Sequence, residues 1–290
     1  MKVSLFDQIQ RNKRNSLFLV IFVFLILTLL VYVISLALAP GLSIILVIIG
    51  FILIISHIYY SYNHGDKVVL KAVNAKPADE RKHRYLIDTV EGLAIAAGIP
   101  KPKVYVIENK ELNAFATGKD PKHASIAVTT GLIEKLNRSE LEGVIGHEMS
   151  HIRNYDIRFA TLVAVLVGLA AIISYMFLRG FRVRSSRKGG WIILIAILFA
   201  IIAPIATRLV QAAISRRREY LADAGGAELT RYPPGLANAL KKLKKYNKGK
   251  MKVSEAISHL FFIDPSHSPL DSLFATHPPI DKRIEILRSM

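Results

Sequence analysis

The stretch His147-Glu148-Met149-Ser150-His151 carries two histidines four positions apart, with a glutamate directly after the first. Residues i and i+4 share one face of an α-helix, so both imidazoles can reach a single ion. This H-E-x-x-H spacing indicates a zinc site in which the glutamate serves as a base. Chance matches on helical surfaces also occur, so the surrounding sequence has to distinguish a metal site from a solvated helix face.

Apolar segments lie on both sides of this motif. Hydrophobic residues make up 52% of the 290 residues, and the mean hydropathy is +0.35. A bilayer core requires about 20 apolar residues for a crossing helix, which predicts an α-helical integral membrane protein. The four predicted transmembrane helices are 17–38, 41–60, 159–178 and 191–207, the last continuing as a helix to 214.

The order of these segments predicts two membrane hairpins and a catalytic domain built from two polar segments. The chain starts with a basic tail, 1–16, which we expect to be retained because the apolar run after it exceeds the roughly 7–15 residues of a secretory signal core. Both polar segments leave the membrane on the same side, so they can fold together. The remaining predicted boundaries are the first hairpin at 17–60, the first catalytic segment at 61–158, the second hairpin at 159–214 and the second catalytic segment at 215–290.

The net charge and the absence of cysteine limit the classes of binding partner and the residue types that could be metal ligands. The net charge is +17, and the basic residues gather beside the predicted spans, which favours a lipid bilayer and not nucleic acid as the partner. We expect the basic run 241–252 to be a helix face near anionic lipid. The catalytic domain is predicted to face the cytoplasm, although the turn 179–190 carries five bases of its own. Because the chain has no cysteine, zinc ligands must be histidine, carboxylate or water.

Local patterns predict an α+β domain around the motif. A helical stripe over 78–97 ends at Gly98, and strand-like runs follow at 103–107, 112–117 and 125–130. Ser139 and Glu142 form an S-x-x-E pattern, which predicts that the motif helix begins at Ser139.

A catalytic zinc ion usually takes three protein ligands, so one more must lie elsewhere in the chain. Glu219 is the best candidate. It lies roughly 12 Å along a helix beyond the fourth apolar segment, and His151 lies about the same distance before the third. The two residues would therefore be at the same height above the membrane. The prediction is one zinc ion per chain, held by His147, His151 and Glu219. Asp223 and Asp156 are expected to accept the second imidazole N–H of a ligand histidine; the alternative for either is a surface acid.

The remaining candidates concern catalysis and substrate binding. Glu148 is expected to take a proton from a metal-activated water molecule and pass it to the leaving amine. His277, held by two following prolines, is a candidate transition-state donor, and Arg283 is a further candidate whose alternative is a solvated side chain. We expect the other histidines to be structural or exposed. The strand-like residues Asn113, Ala114, Phe115 and Ala116 are predicted to bind substrate as an added strand, the alternative being an ordinary strand.

Taken in order, these motifs resemble those of the HtpX family of membrane zinc proteases, relatives of the CAAX prenyl endoprotease. The resemblance rests on the two early spans, Asn113-Ala114-Phe115-Ala116-Thr117-Gly118, the H-E-x-x-H motif with Asp156, two later spans, Glu219 with Asp223, and Thr276-His277-Pro278. It implies a zincin-like (gluzincin) domain with His147, His151 and Glu219 as ligands and Glu148 as catalytic glutamate. It also implies quality control of misfolded or damaged membrane proteins at the cytoplasmic membrane, as in a stress response.

The leading hypothesis is therefore a membrane-bound zinc endopeptidase acting on polypeptides. Two alternatives stay open at this point: a protease that processes prenylated proteins near a lipidated carboxyl terminus, and a non-proteolytic membrane scaffold that retains the fold.

Overall fold

The computed structural model describes residues 40–165, 216–249, 251, 253–263 and 277–290, together with residues 10, 14, 17, 18, 20–22, 24–29, 32 and 198. Most of the third predicted span and nearly all of the fourth lie outside these residues, and the first is covered only partly. The four-span topology therefore stays a prediction.

The membrane helix, Ser43–Ala72, contains the second predicted span. Its 30 residues correspond to about 45 Å, which exceeds the roughly 30 Å of a hydrocarbon core. Only 11% of its most apolar window is buried, so its side chains face outward as they would toward lipid. It is the one helix, within the described residues, that is long and apolar enough to cross a membrane. Its polar last third continues into the domain.

A four-stranded sheet forms one layer of the domain. The order is β1-β2-β4-β3, with β2 and β4 parallel and the outer pairs antiparallel, so β3 is an edge strand. Three predicted strands are present, with ends shifted by at most two residues. The bounds are Lys76–Pro77 (β1), Lys103–Ile107 (β2), Ala114–Gly118 (β3) and Ala124–Thr129 (β4).

Helices cover the sheet and carry the predicted metal ligands. The motif helix is Arg138–Arg153, and the glutamate helix, which carries Glu219, is Arg216–Thr230. A helix over 156–165 follows the motif helix after a two-residue turn. The other helices are Arg84–Ala97, Thr130–Lys135, the basic helix Pro233–Tyr246, Glu255–Ser258 and the C-terminal helix Ile280–Arg288, with 3-10 turns at Pro40–Leu42 and Pro121–His123.

Two predicted helix starts were wrong. The helix expected from residue 78 begins at Arg84, because the Asp79 carboxylate accepts hydrogen bonds from the backbone N–H groups of Arg81 and Lys82 and makes a turn there. The motif helix is capped by Asn137 and not by Ser139: Asn137 Oδ1 accepts from the N–H of Glu140 at 3.0 Å, and Glu140 Oε2 accepts from that of Asn137 at 2.8 Å. This is a capping box placed two residues earlier.

The motif helix is buried between the sheet, the glutamate helix and the basic helix. Val144, Ile145, Met149 and Ile152 on it are each fully buried in the main hydrophobic core. Glycines allow the motif and glutamate helices to approach closely: a Cβ on Gly226 would lie 2.8 Å from the backbone nitrogen of His147. Packing in the core thus sets the separation of the two helices that carry the predicted ligands.

We expect Gly226→Ala to destabilise the protein by about 1–3 kcal/mol, because the added methyl group would push the two helix backbones apart. For a domain of this size that lowers the melting temperature by several degrees, measurable in detergent by differential scanning fluorimetry. Gly92→Ala is the matched control, since its Cβ meets no atom within 4 Å and alanine favours a helix. Equal melting temperatures for the two variants would contradict the close-packing argument.

Candidate active site

Three side chains converge at the meeting of the motif and glutamate helices. His147 Nε2 lies 3.1 Å from His151 Nε2. Glu219 spans the pair, with Oε2 at 3.7 Å from His147 Nε2 and Oε1 at 3.6 Å from His151 Nε2. One ligand atom from each residue lies within 4.8 Å of the other two, so the three could hold a single ion.

The donor set suits zinc. Tetrahedral zinc bonds of about 2.0–2.2 Å place neighbouring ligand atoms about 3.3–3.6 Å apart, close to the separations found here. Glu219 Oε2 is buried and has no hydrogen-bond partner in the described part of the chain; Arg283 Nη1 lies 3.8 Å away, beyond hydrogen-bond distance. A bound cation would satisfy this oxygen. A cavity of about 40 Å³ adjoins the three residues, and a water molecule needs about 10–15 Å³.

Two acids hold the outer nitrogens of the histidines. Asp223 Oδ1 lies 2.9 Å from His147 Nδ1, and Asp156 Oδ2 lies 3.0 Å from His151 Nδ1. With each Nδ1 donating to its carboxylate, each imidazole in its neutral form would direct the lone pair of Nε2 toward an ion held together with Glu219. Neither carboxylate is a surface acid, because Asp223 is 1% exposed and Asp156 is 6% exposed.

Arg283 is buried behind Asp223 and does not line the cavity. Its Nε and Nη2 donate to the two Asp223 oxygens at 2.8 and 2.7 Å, and its guanidinium lies 4.8 Å from the Phe262 ring centroid. The solvated alternative for Arg283 is thus wrong, because the C-terminal helix buries its Ile284 and Leu287 in the core and carries the arginine inward. Its Nη1 also lies 3.8 Å from Glu219 Oε2, and the role of Arg283 as a transition-state donor stays a prediction.

Glu148 faces the same cavity from the motif helix. Burial raises its pKa to about 7, and the nearby negative charge of Glu219 adds to the rise. The positive charge of His151 and a backbone hydrogen bond from Ala116 oppose it. A carboxyl group whose pKa is near neutrality can both accept and release a proton, as a general base must.

The charge states of the three converging residues reflect burial and their neighbours. Burial lowers the pKa of His147 to about 4, against the effect of Asp223. Burial acts to raise the pKa of Glu219, but the charges of His277 and His151 outweigh it and lower the pKa to about 2. For His151, burial is outweighed by Asp156 and Glu219, and the pKa rises to about 9. His147 and Glu219 are therefore in the forms that bind a metal, and His151 must release a proton on binding.

The edge strand β3 is partly covered by the chain itself. The N–H of Phe262 donates to the Ala114 carbonyl at 2.8 Å, and the Asn113 side chain exchanges hydrogen bonds with the backbone of Ile263. Phe115 faces the other side of the sheet, where it contacts Phe261 with ring centroids 4.9 Å apart. Of the four predicted substrate-binding residues, Ala116 alone lines the cavity.

The cavity is lined by the predicted residue His277 and by residues that the motifs did not indicate. His277 lines the cavity and is 8% exposed, as a candidate donor would be, whereas Thr276 before it lies outside the described residues. The sequence motifs did not indicate His259 or the apolar segment after it, because neither has a ligand-like spacing. The apolar run Leu260-Phe261-Phe262-Ile263 next to a histidine was the available signal. The cavity residues missed were Ile157, Ala160, Arg218, His259, Leu260, Phe261 and Phe262.

Asp156→Asn is expected to weaken zinc binding about 10–100-fold, because the amide holds the imidazole of His151 less strongly than a carboxylate. Competition with a chromophoric chelator measures this affinity on the purified full chain. Asp281→Asn is the control, since Asp281 is 75% exposed and pairs only with Lys244 among the described residues. An unchanged zinc affinity in Asp156→Asn would mean that this carboxylate does not orient His151.

An α+β domain with H-E-x-x-H on a buried helix and a glutamate on a helix later in the chain defines a zincin-like zinc metalloprotease. The profile of "Peptidase family M48" matches residues 80–290. The chain is 48% identical to the "Protease HtpX homolog" of Caldanaerobacter subterraneus subsp. tengcongensis, over 82% of this chain and 83% of that protein. It is 43% identical to that of Streptococcus thermophilus, over 99% and 100% of the two chains. The chain belongs to the HtpX proteases of peptidase family M48.

The fold is also found in a more distant protein. The crystal structure of S. mikatae Ste24p superposes with a TM-score of 0.52 at 21% sequence identity, covering 90% of this chain. The match spans 62% of the Ste24p chain, so that protein has a substantial region with no counterpart here. At this identity the likeness concerns the fold alone. The predicted family, enzyme class and metal-site type are confirmed by these comparisons together with the site.

Proposed function

We propose that this protease is an endopeptidase of the membrane surface that degrades misfolded or damaged polypeptides, membrane proteins included. The observation that carries the proposal is the position of the site relative to the membrane helix. Asp156, which holds His151, begins the helix over 156–165, and that helix packs against the membrane helix at Gly65. A substrate reaching the cavity therefore arrives next to the bilayer.

Different residues of the chain would have different roles in peptide hydrolysis. Bound zinc, one ion per chain held by His147, His151 and Glu219, would supply a Lewis acid that polarises a carbonyl and acidifies water. Glu148 accepts the proton of the attacking water and returns it to the amine nitrogen as the peptide bond breaks. His277, which lines the cavity, would donate a hydrogen bond to the developing oxyanion.

Substrate would enter as an added strand along β3 near Ala116. Because the N–H of Phe262 already donates to the Ala114 carbonyl, pairing would start near Ala116, whose backbone hydrogen-bonds to Glu148. An extended, unfolded segment satisfies this geometry, whereas a folded domain does not expose the required backbone. This supports unfolded chains as the substrates.

The proposed arrangement in the membrane has four spans, with the catalytic domain formed by 61–158 and 215–290 in the cytoplasm. The apolar windows and the basic residues beside them support this topology.

The test uses the zinc-loaded full chain in detergent with three substrates: unfolded casein, and one peptide with and without a prenylated carboxyl terminus. Internal cleavage of casein that is lost with a zinc chelator is the expected result. Cleavage restricted to the lipidated peptide would replace this proposal by prenyl-protein processing, and zinc binding without any cleavage would favour a scaffold.

A further inference from the structure

A second cavity, of about 250 Å³, lies where the membrane helix leaves the apolar zone. We name it the basic cavity. Its walls are residues 61–67 of the membrane helix, the start of the helix over 156–165, and the turn between β3 and β4. It is separate from the active-site cavity. Six basic side chains and the single acid Asp66 line it; the bases are Lys67, Lys101, Lys103, Lys119, Lys122 and Arg158.

The described residues do not neutralise the positive charge in the basic cavity. Among the described residues only Lys101 has a carboxylate partner, Glu91 at 2.5 Å; the other five bases have none within 4.0 Å. Like charges held close together are unfavourable unless a counter-ion joins them. A bound anion would therefore neutralise the positive charge of this cavity.

Two buried polar atoms also lack partners in the basic cavity. Ser125, 1% exposed, has a buried Oγ with no hydrogen-bond partner in the described part of the chain, and the same holds for His64 Nδ1. Buried polar atoms are nearly always satisfied, so each indicates a missing partner. A hydroxyl and an imidazole N–H can both donate to an oxyanion, as can the lysines around them.

The basic cavity lies at the height expected for lipid headgroups. Tyr59, Tyr60 and Tyr62 mark the end of the apolar stretch of the membrane helix, and such aromatic residues concentrate at the membrane interface. Basic pockets beside membrane helices at this depth suit phosphate headgroups.

An apolar groove of about 510 Å³ adjoins the basic cavity and shares Tyr62, Arg158 and Leu162 with it. Most of its lining is hydrophobic, for example Phe24, Ile55 and Ile58. A free phosphate ion would leave this groove empty. An amphiphile with an anionic head and a hydrocarbon chain would fill both spaces.

We propose that the basic cavity binds the phosphate of an anionic phospholipid, with an acyl chain in the adjoining apolar groove. The bound lipid would also contact the base of the edge strand. Arg158 Nε donates to the Lys119 carbonyl at 2.6 Å, and Thr161 Oγ1 lies 2.8 Å from Thr117 Oγ1 and accepts from the N–H of Gly118 at 3.1 Å. The lipid thus ties β3 to the bilayer surface. The proposal rests on the membrane helix crossing a bilayer and is independent of the proteolytic mechanism.

The experiment measures lipid retained by the detergent-purified full chain after incubation with phosphatidylglycerol or phosphatidylcholine, using native mass spectrometry. The variant is Lys67→Gln with Lys122→Gln, because both side chains are exposed and neither makes a side-chain hydrogen bond to another described residue. The control, Arg81→Gln with Lys82→Gln, removes the same charge from exposed residues away from the cavity.

The wild type and the control should retain phosphatidylglycerol in preference to phosphatidylcholine, and the cavity variant should bind it about tenfold more weakly or worse. Equal binding by cavity and control variants would overturn the proposal. Inorganic phosphate that displaced phosphatidylglycerol at equal concentration would overturn it as well, since the groove would then contribute nothing. Displacement by a polyglutamate peptide at equal concentration would assign the cavity to an acidic protein segment instead.

Discussion

Glu148→Gln is expected to reduce cleavage of unfolded casein by about 10²–10⁴-fold, while zinc content stays at the wild-type level. Glutamine keeps the volume of the side chain but cannot accept the proton of the attacking water, and general base catalysis has about this magnitude. The pKa of Glu148, raised to about 7 by burial, indicates that the carboxyl group is suited to this exchange. The measurements are initial cleavage rates and zinc per chain from inductively coupled plasma mass spectrometry.

The control for this variant is Glu134→Gln, which removes an exposed carboxylate from the short helix Thr130–Lys135 before the motif helix. It should cleave casein at the wild-type rate. If Glu148→Gln also cleaved at that rate with zinc bound, the role of Glu148 as base would be wrong. If it lost zinc, the residue would act in metal binding instead.

Glu219→Gln is expected to have an equally large effect by another route, namely loss of the metal. An amide oxygen is a poorer zinc ligand than a carboxylate, and the substitution removes the negative charge that faces both imidazoles at 3.6–3.7 Å. We expect zinc affinity to fall by more than the roughly 10–100-fold that outer carboxylates contribute. Casein cleavage should fall with zinc content and recover partly when zinc is added in excess.

Glu228→Gln provides the matched control, because Glu228 lies on the same helix and is 69% exposed. It pairs at 3.0 Å with Arg153, whose side chain is 19% exposed, so the variant removes a carboxylate and one ion pair but none of the three converging residues. Zinc binding by Glu219→Gln as tight as that of Glu228→Gln would exclude Glu219 as a ligand. Together the Glu148 and Glu219 variants separate loss of the base from loss of the metal.

Helix geometry explains why the predicted ligand set could be found without a structure. His147 and His151 share a face because of their spacing, and the distances of His151 and Glu219 from apolar segments placed the two at one height. The structure brings all three together within 4.8 Å. Strand positions were predicted nearly as well, since alternation and β-branched residues are local signals.

Local sequence patterns could not decide which of two possible residues caps a helix, or whether a charged side chain is exposed or buried. Ser139 and Asn137 can both cap a helix, and the hydrogen bonds with Glu140 favoured Asn137. Arg283 has the sequence context of a solvated terminal arginine, yet it is fully buried against Asp223. The covering of β3 by Phe262 joins residues about 150 positions apart, for which no local pattern exists.

The sequence by itself determined the chemistry of this protein: a two-histidine helix, a distant glutamate, a base beside the first histidine and apolar segments suited to a membrane. These follow from periodicity and residue type, which act over one or two helical turns. Only the tertiary structure decided which acids hold the histidines, where Phe262 covers β3, and that several bases with no carboxylate partner among the described residues enclose a cavity beside the membrane helix. Those features depend on close packing and on burial of charge, and both arise only when distant segments are brought together.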